Sequence, residues 1–265
     1  MHELIRQRKR DLALIGPISD IAFDMLIGAG CVASVTAAWV GNVSAGLGHC
    51  YRRAMEHGVP RAIRVYDHSN FTIALALLAG ALGAPYIPTR TLLGSDIAKA
   101  NPTFVAATSP LDGSPVLLVP AITPDVTIIA CQRADGSGNA QQWGPWGVSQ
   151  EAALAAGGVI VLADEVVPRE VIASDPNRTI VPATKVVAVI EAPGACHPSA
   201  LQGRYARDHE FFHEYHRATR DVAGFDAWIA EWVSGKPDHA AYLRALGDRF
   251  ALLREPGVPA ATALF

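Results

Sequence analysis

Charge is scarce in this chain. Only 18% of its residues are Asp, Glu, Lys or Arg, and the formal net charge is -3. A protein that holds nucleic acid needs a basic surplus to neutralise phosphates, and the short Arg6-Gln7-Arg8-Lys9-Arg10 cluster does not supply one, so nucleic acid is excluded as a partner. Cysteine is scarce too. Cys31, Cys50, Cys131 and Cys196 lie far apart with no CxxC pair, which argues against a disulfide scaffold or a zinc knuckle and points to a reducing cytoplasm. No apolar run reaches the length of a bilayer crossing; the longest, Phe71 to Ala84, carries two glycines, and the polar N-terminus does not read as a signal peptide. Low-complexity linkers and internal repeats are also missing, so the chain reads as a single domain over 1–265.

Hydrophobic residues, by contrast, make up half of the 265 positions, enough to bury a large core. Runs rich in Val, Ile and Leu predict strands at Asp11–Ile15, Val32–Val40, Arg61–Tyr66, Val116–Val119, Val126–Cys131, Val159–Leu162 and Lys185–Ile190. Helix-like or glycine-rich segments separate most of them. That alternation predicts an α/β fold, a mostly parallel open sheet with helices on both faces. Ala45–Glu56 and Phe71–Leu82 read as helices, the second apolar on nearly every face and therefore expected to be buried. After Pro198 the pattern becomes helical over Arg207–Arg220, Phe225–Val233 and Asp238–Leu246, with stops at Gly224 and at Ser234-Gly235-Lys236-Pro237, which makes a helical C-terminal cap.

Several motifs mislead. His209-Glu210-Phe211-Phe212-His213 matches the HExxH zinc pattern, but it lies on a strongly charged surface helix, with Glu231 as the downstream carboxylate to complete a ligand set. No metal site is expected. Gly28-Ala29-Gly30-Cys31-Val32-Ala33 matches a relaxed dinucleotide fingerprint, yet the run from Val32 to Val40 is β-branched, so the motif reads as a turn from helix to strand. Asp135-Gly136-Ser137-Gly138-Asn139 lacks the acidic alternation of an EF-hand loop and reads as a turn first. Asp164-Glu165, at a strand end, is either a paired-carboxylate site or the cap of the next helix.

Three other segments lie where strand-like runs give way to small and polar residues, the place where a parallel sheet binds its ligand: Gly41-Asn42-Val43-Ser44-Ala45-Gly46, Ser69-Asn70-Phe71 and Pro88-Thr89-Arg90-Thr91-Leu92-Leu93-Gly94-Ser95-Asp96. With Ala134-Asp135, Gly138-Asn139 and Glu191-Ala192-Pro193-Gly194-Ala195-Cys196-His197-Pro198, they resemble the A subunit of the glutaconate-type (family I) coenzyme A transferases over nearly the whole chain except its beginning. The resemblance implies a sheet of the kind seen in those transferases and in sugar-phosphate isomerases. It also implies ping-pong transfer of coenzyme A from an acyl-CoA to a free carboxylate, with a coenzyme A thioester as substrate and no permanently bound cofactor. The covalent carrier, a glutamate, would belong to a B subunit in an A2B2 assembly, so this chain would supply half of a cleft and no nucleophile.

On that reading Asn70 takes a catalytic supporting role, its neutral amide donating to a carbonyl, with Ser69 beside it; both also have the residue types of a helix cap. In steroid-ring-opening relatives the position of Asn70 carries a glutamate, so the asparagine argues for the transferase over a hydrolase of the same fold. Asn42 and Ser44, flanked by glycines, are expected to approach the thioester or the pantetheine arm. Arg90, with Gly94 and Ser95 in its loop, is expected to bind a substrate carboxylate or a CoA phosphate, the alternative being a salt bridge to Asp96. His197 either faces the cleft or is merely hydrogen bonded. One departure from the family is the first strand and its Gly-Gly-Phe turn, which this sequence lacks; it begins within the helix that normally comes next. A further alternative is therefore a non-catalytic role in assembly. An isomerase or effector-binding domain would need a compact phosphate-binding run, which the sequence does not contain.

Overall fold

Branched side chains pack well on a pleated surface, and the runs of Val and Ile form the strands. The computed structural model describes residues 1–254. After a short helix α1 (His2–Arg6), strands β1 (Leu12–Ser19) and β2 (Val32–Asn42) pair in parallel across helix α2 (Ile21–Gly28). Gly30, at φ +69°, makes the turn from α2 into β2, so the glycine-rich stretch joins helix to strand. A two-residue strand β3 (Gly46–Leu47) folds back on β2, helix α3 (His49–His57) follows, and β4 (Arg64–Asp67) joins β2 in parallel. Helix α4 (Asn70–Leu82) then leaves the end of β4.

The parallel pattern stops there. Strand β5 (Tyr86–Thr89), helix α5 (Asp96–Ala100), and strands β6 (Val105–Thr108) and β7 (Pro115–Pro120) build a small antiparallel sheet in the order β5-β7-β6. Thus the Val116–Val119 run is a strand, as its composition predicts, but an antiparallel one. Strand β8 (Val126–Cys131) returns to parallel pairing. It is followed by β9 (Arg133–Asp135), β10 (Ala140–Gln141), helix α6 (Ser149–Ala155), β11 (Gly158–Ala163), β12 (Val166–Val167), helix α7 (Arg169–Ala173), β13 (Thr179–Val181) and β14 (Val186–Glu191). Here β14-β11-β8 form a second parallel sheet, and β12-β9-β10-β13 a mixed one.

The C-terminal cap consists of α8 (His209–Ala218), α9 (Val222–Ile229), a π-helical turn at Ala230–Ser234, α10 (His239–Leu246) and α11 (Asp248–Leu253). Gly224 does not stop a helix; it lies in the first turn of α9, where a Cβ would stand 2.0 Å from the Ala218 carbonyl oxygen. The break falls instead at Asp221, whose carboxylate caps α9 by accepting from the Gly224 N–H at 2.8 Å. The largest core cluster among the described residues joins N-terminal elements to the C-terminal cap, with Leu26, Val32 and Val35 packed in one cluster with Phe211, Phe212, Trp228 and Tyr242.

Helix α4 departs from expectation. Ile73, Ala76 and Leu77 are buried, but Phe71 and Leu82 are 55% and 70% exposed, with Leu78 also exposed and Leu75 half-buried between them. These four lie at helical spacing on one face, which this chain leaves uncovered. Among the described residues no helix is long and apolar enough to cross a membrane.

Candidate functional site

Register places the C-terminal ends of β1, β2 and β4 along one edge: Ser19 pairs with Val40, and Ala37 with Asp67. Asp20, the Gly41–Ser44 turn and His68–Asn70 therefore share the edge where parallel sheets bind ligands. The three clusters of small and polar residues meet this edge in different ways.

Ser69 is the N-cap of α4. Its Oγ accepts the Thr72 N–H at 3.1 Å, and the Thr72 hydroxyl accepts the Ser69 N–H at 2.9 Å, a reciprocal capping box. That commits Ser69 to the helix end. Asn70 is the first helical residue, exposed, and its side-chain amide has no hydrogen-bond partner among the described residues. A neutral donor thus stands unpaired at the positive end of a 13-residue helix.

Beneath it lies His68, which the sequence reading did not single out. Its backbone N–H donates to the Ala37 carbonyl at 3.0 Å, its ring meets Phe104 edge-on at 4.8 Å, and its Nδ1 is buried with no partner among the described residues. Burial pushes the imidazole down to about 4, so it is neutral at physiological pH. A histidine between a strand end and a Ser-Asn cap was the signal that could have found it.

The chain that follows the Arg90 loop is fastened to the same strand end. The Asn101 amide donates to the Asp67 carbonyl at 2.8 Å, tying the segment after α5 to β4. Ser95 caps α5 by accepting from the Ala98 N–H at 3.2 Å and donates to the Leu92 carbonyl, while Gly94 turns the chain at φ +78°. Arg90 makes an ion pair, but with Asp112, and also donates to Ser114, both at 2.9 Å; Asp96 pairs with Lys99 instead.

At the end of β2, Asn42 is fully buried. Its Nδ2 donates to the Phe212 carbonyl at 2.6 Å, and its Oδ1 accepts the Ser44 N–H at 3.1 Å. The Ser44 hydroxyl lies 3.1 Å from His209 Nδ1 and accepts from Arg207 Nε at 3.2 Å. Arg207 in turn donates to Asp20 at 2.7 Å and lies over the Phe212 ring. Asp20 and Arg207 are 187 residues apart, so no local pattern announces this polar cluster.

His197 is not at this edge. Its side chain is buried, with Nδ1 2.6 Å from the Tyr242 hydroxyl and Nε2 3.1 Å from Asp208. Asp208 also accepts from Arg249. The histidine is hydrogen bonded inside the C-terminal cap, which removes the cleft-facing alternative.

The HExxH residues are engaged elsewhere: His209 with Ser44, and Glu210 with Arg217 at 2.7 Å. Among the described residues, no group of three or more His, Cys, Asp or Glu is placed to hold a metal ion. Glu165 pairs with Arg204 at 2.8 Å, and Asp164 accepts the Gly194 N–H at 3.0 Å, so both carboxylates are engaged and neither caps a helix. Asp135 closes its own turn. Burial pushes its carboxyl up, but the Asn139 amide and the backbone N–H groups of Asn139, Ser137 and Gly138 outweigh that and hold it below the usual range.

Comparison with known proteins agrees with the motif resemblance. The family model described as coenzyme A transferase matches residues 1–192. The chain is 39% identical to the A subunit of 3-oxoadipate CoA-transferase from Pseudomonas knackmussii, over 93% of this chain and 87% of that one. It is 30% identical to the A subunit of glutaconate CoA-transferase from Acidaminococcus fermentans, over 92% and 81% of the two chains. The crystal structure of glutaconate coenzyme A-transferase from the same organism superposes with a TM-score of 0.91 at 30% identity, covering 96% of this chain and 85% of that one. The chain therefore belongs to the coenzyme A transferase family, on the side of its A subunits.

Proposed function

We propose that this chain is the A subunit of a heteromeric acyl-CoA:carboxylate CoA-transferase, acting on acyl groups of the 3-oxoacid or glutaconate kind. The observation that carries the reading is the near full-length likeness to the A subunits of two CoA-transferases. The edge described above supplies its geometry. As one domain, the chain provides one wall of a shared cleft, and a B subunit provides the other together with a nucleophilic glutamate. Two copies of each make an A2B2 assembly in the cytoplasm, a setting that suits four free cysteines.

In the reaction, the glutamate carboxylate attacks the thioester carbonyl, the CoA thiolate leaves, and a mixed anhydride forms. The thiolate then attacks the glutamyl carbonyl and releases the donor acid, leaving a glutamyl-CoA thioester. The acceptor carboxylate runs the same steps in reverse. Asn70 donates its amide N–H to the carbonyl oxygen as negative charge collects there, a contact favoured by the helix end on which it stands. Ser69 holds that helix end in place. Ser44, Arg90, Gly94 and Ser95 border the path of the CoA thioester.

The test is turnover with and without the partner. The chain alone, given acetoacetyl-CoA and acetate, is expected to transfer nothing, whereas the co-purified complex turns over and mass spectrometry finds CoA covalently on the partner. Turnover by this chain alone, or CoA bound covalently to it, would refute the proposal.

A further inference from the structure

A cavity of about 180 Å3 lies between the β2 and β4 strands, His68, Thr103 and the segment at the end of β7. Thr36, Tyr66, His68 and Thr103 line it together with Ile122. The hydroxyls of Thr36 and Tyr66 make no hydrogen bond within the described residues, and Thr103 donates to Asn101 at 2.7 Å but keeps its lone pairs. His68 is only 4% exposed, with its Nδ1 unpartnered. Thr36 and Tyr66 are half-buried and Thr103 is exposed, whereas a buried polar group such as His68 Nδ1 is normally paired, so this unpaired nitrogen marks a place for a ligand atom.

The chemistry of that ligand is set by the absence of charge. No residue in the lining is charged, since burial keeps the imidazole neutral. A carboxylate placed against His68 here would lose part of its hydration with no cation in the lining to offset the loss. A carbonyl or hydroxyl oxygen carries no such penalty and can accept from an imidazole N–H or a hydroxyl. The space equals that of about six water molecules, enough for a short chain and too small for the pantetheine arm. His68 stands two residues before Asn70, so the lining and the start of α4 belong to one stretch of chain.

We propose that this cavity receives a neutral oxo or hydroxyl oxygen on the acyl chain, with His68 and Thr36 as residues that select for it. The proposal rests on the transferase reading given above. It makes the cavity a specificity site rather than a part of the reacting centre, and it sends any distal carboxylate of the substrate elsewhere.

The test compares acetoacetyl-CoA with butyryl-CoA, which lacks the oxo group, in the complex with the partner subunit. His68→Leu removes an orphaned buried nitrogen, and Thr36→Val keeps the shape while removing the hydroxyl. Each is expected to raise KM for acetoacetyl-CoA about tenfold and to leave butyryl-CoA within about twofold, because a site built for a hydrogen bond discriminates only through it. Equal effects on both thioesters, or no effect on either, overturn the assignment even though the enzyme is active. A wild-type complex that transfers neither acyl group refutes the transferase reading instead. In that event, NMR of the His68 ring decides the cavity's role: its signals shift with acetoacetyl-CoA and stay fixed with butyryl-CoA, or the proposal falls.

Discussion

The side-chain amide of Asn42 donates to the carbonyl oxygen of Phe212 at 2.6 Å, fastening the end of β2 to the middle of α8. Because Asn42 is buried and also accepts from the Ser44 N–H, Asn42→Ala removes two hydrogen bonds from a buried site. A loss of about 1–3 kcal/mol is expected, read from the urea midpoint, with kcat of the folded complex kept. A variant that is fully stable but inactive would make Asn42 a substrate contact instead of a clasp.

Ser69 and Asn70 are neighbours with separable roles. Ser69→Ala is expected to cost about 1 kcal/mol of stability through loss of the cap. Asn70→Ala leaves the unfolding midpoint in place, since the side chain is exposed and unbonded, and lowers kcat of the complex by roughly a hundredfold. The opposite pattern in the two variants would reassign both residues.

Acid should loosen the fold before the carboxylates titrate. His68 and His2 are held near 4 and near 3 in the folded chain, both chiefly by burial, against an ordinary value of 6.5. As pH falls through about 6.5 the unfolded chain binds protons that the folded chain does not, so stability is full above that value and declines toward pH 4. Asp208 behaves differently. Burial pushes its carboxyl up, but hydrogen bonds from Arg249, the Phe211 N–H and His197 hold it below 3.8, so its contribution is lost only at still lower pH. Urea midpoints between pH 7.5 and 4.5 should fall in the wild type and fall less steeply in His68→Leu. Parallel slopes would show that His68 is not held neutral.

The HExxH match should prove inert. Glu210 is exposed and paired with Arg217, so Glu210→Gln in the complex is expected to transfer CoA at the wild-type rate, with or without a chelator. A drop of about tenfold or more on chelation would bring a metal back into consideration.

Strand positions were legible wherever Val and Ile cluster, and the strands β1, β2, β4, β8, β11 and β14 fall where those runs lie. Strands β5 and β6 were not, because Pro88 and the small residues Ala106 and Ala107 dilute the signal. Antiparallel pairing of β7 depends on partners that composition cannot name. The place of Asn70 at the start of α4 was readable because strand, cap and apolar helix are contiguous in sequence. The Arg90–Asp112 pair, the burial of His197 and the Asp20–Arg207–Ser44 cluster were not, since each depends on residues brought together only by tertiary packing.

The union of α2 and β2 with the C-terminal cap in one core bears on how the protein is made. Asp24, buried in α2, accepts from the Tyr215 hydroxyl at 2.7 Å across 191 residues, and Leu26 and Val35 share their cluster with Phe211 and Trp228. At ribosomal speeds of about 5–20 residues per second, α2 waits roughly ten to forty seconds for these partners. During that interval the nascent chain presents a bare apolar face, and a product released before Asp208 never covers it. Such fragments are expected to be captured by holdase chaperones or degraded, so cells should accumulate this protein only as the complete chain.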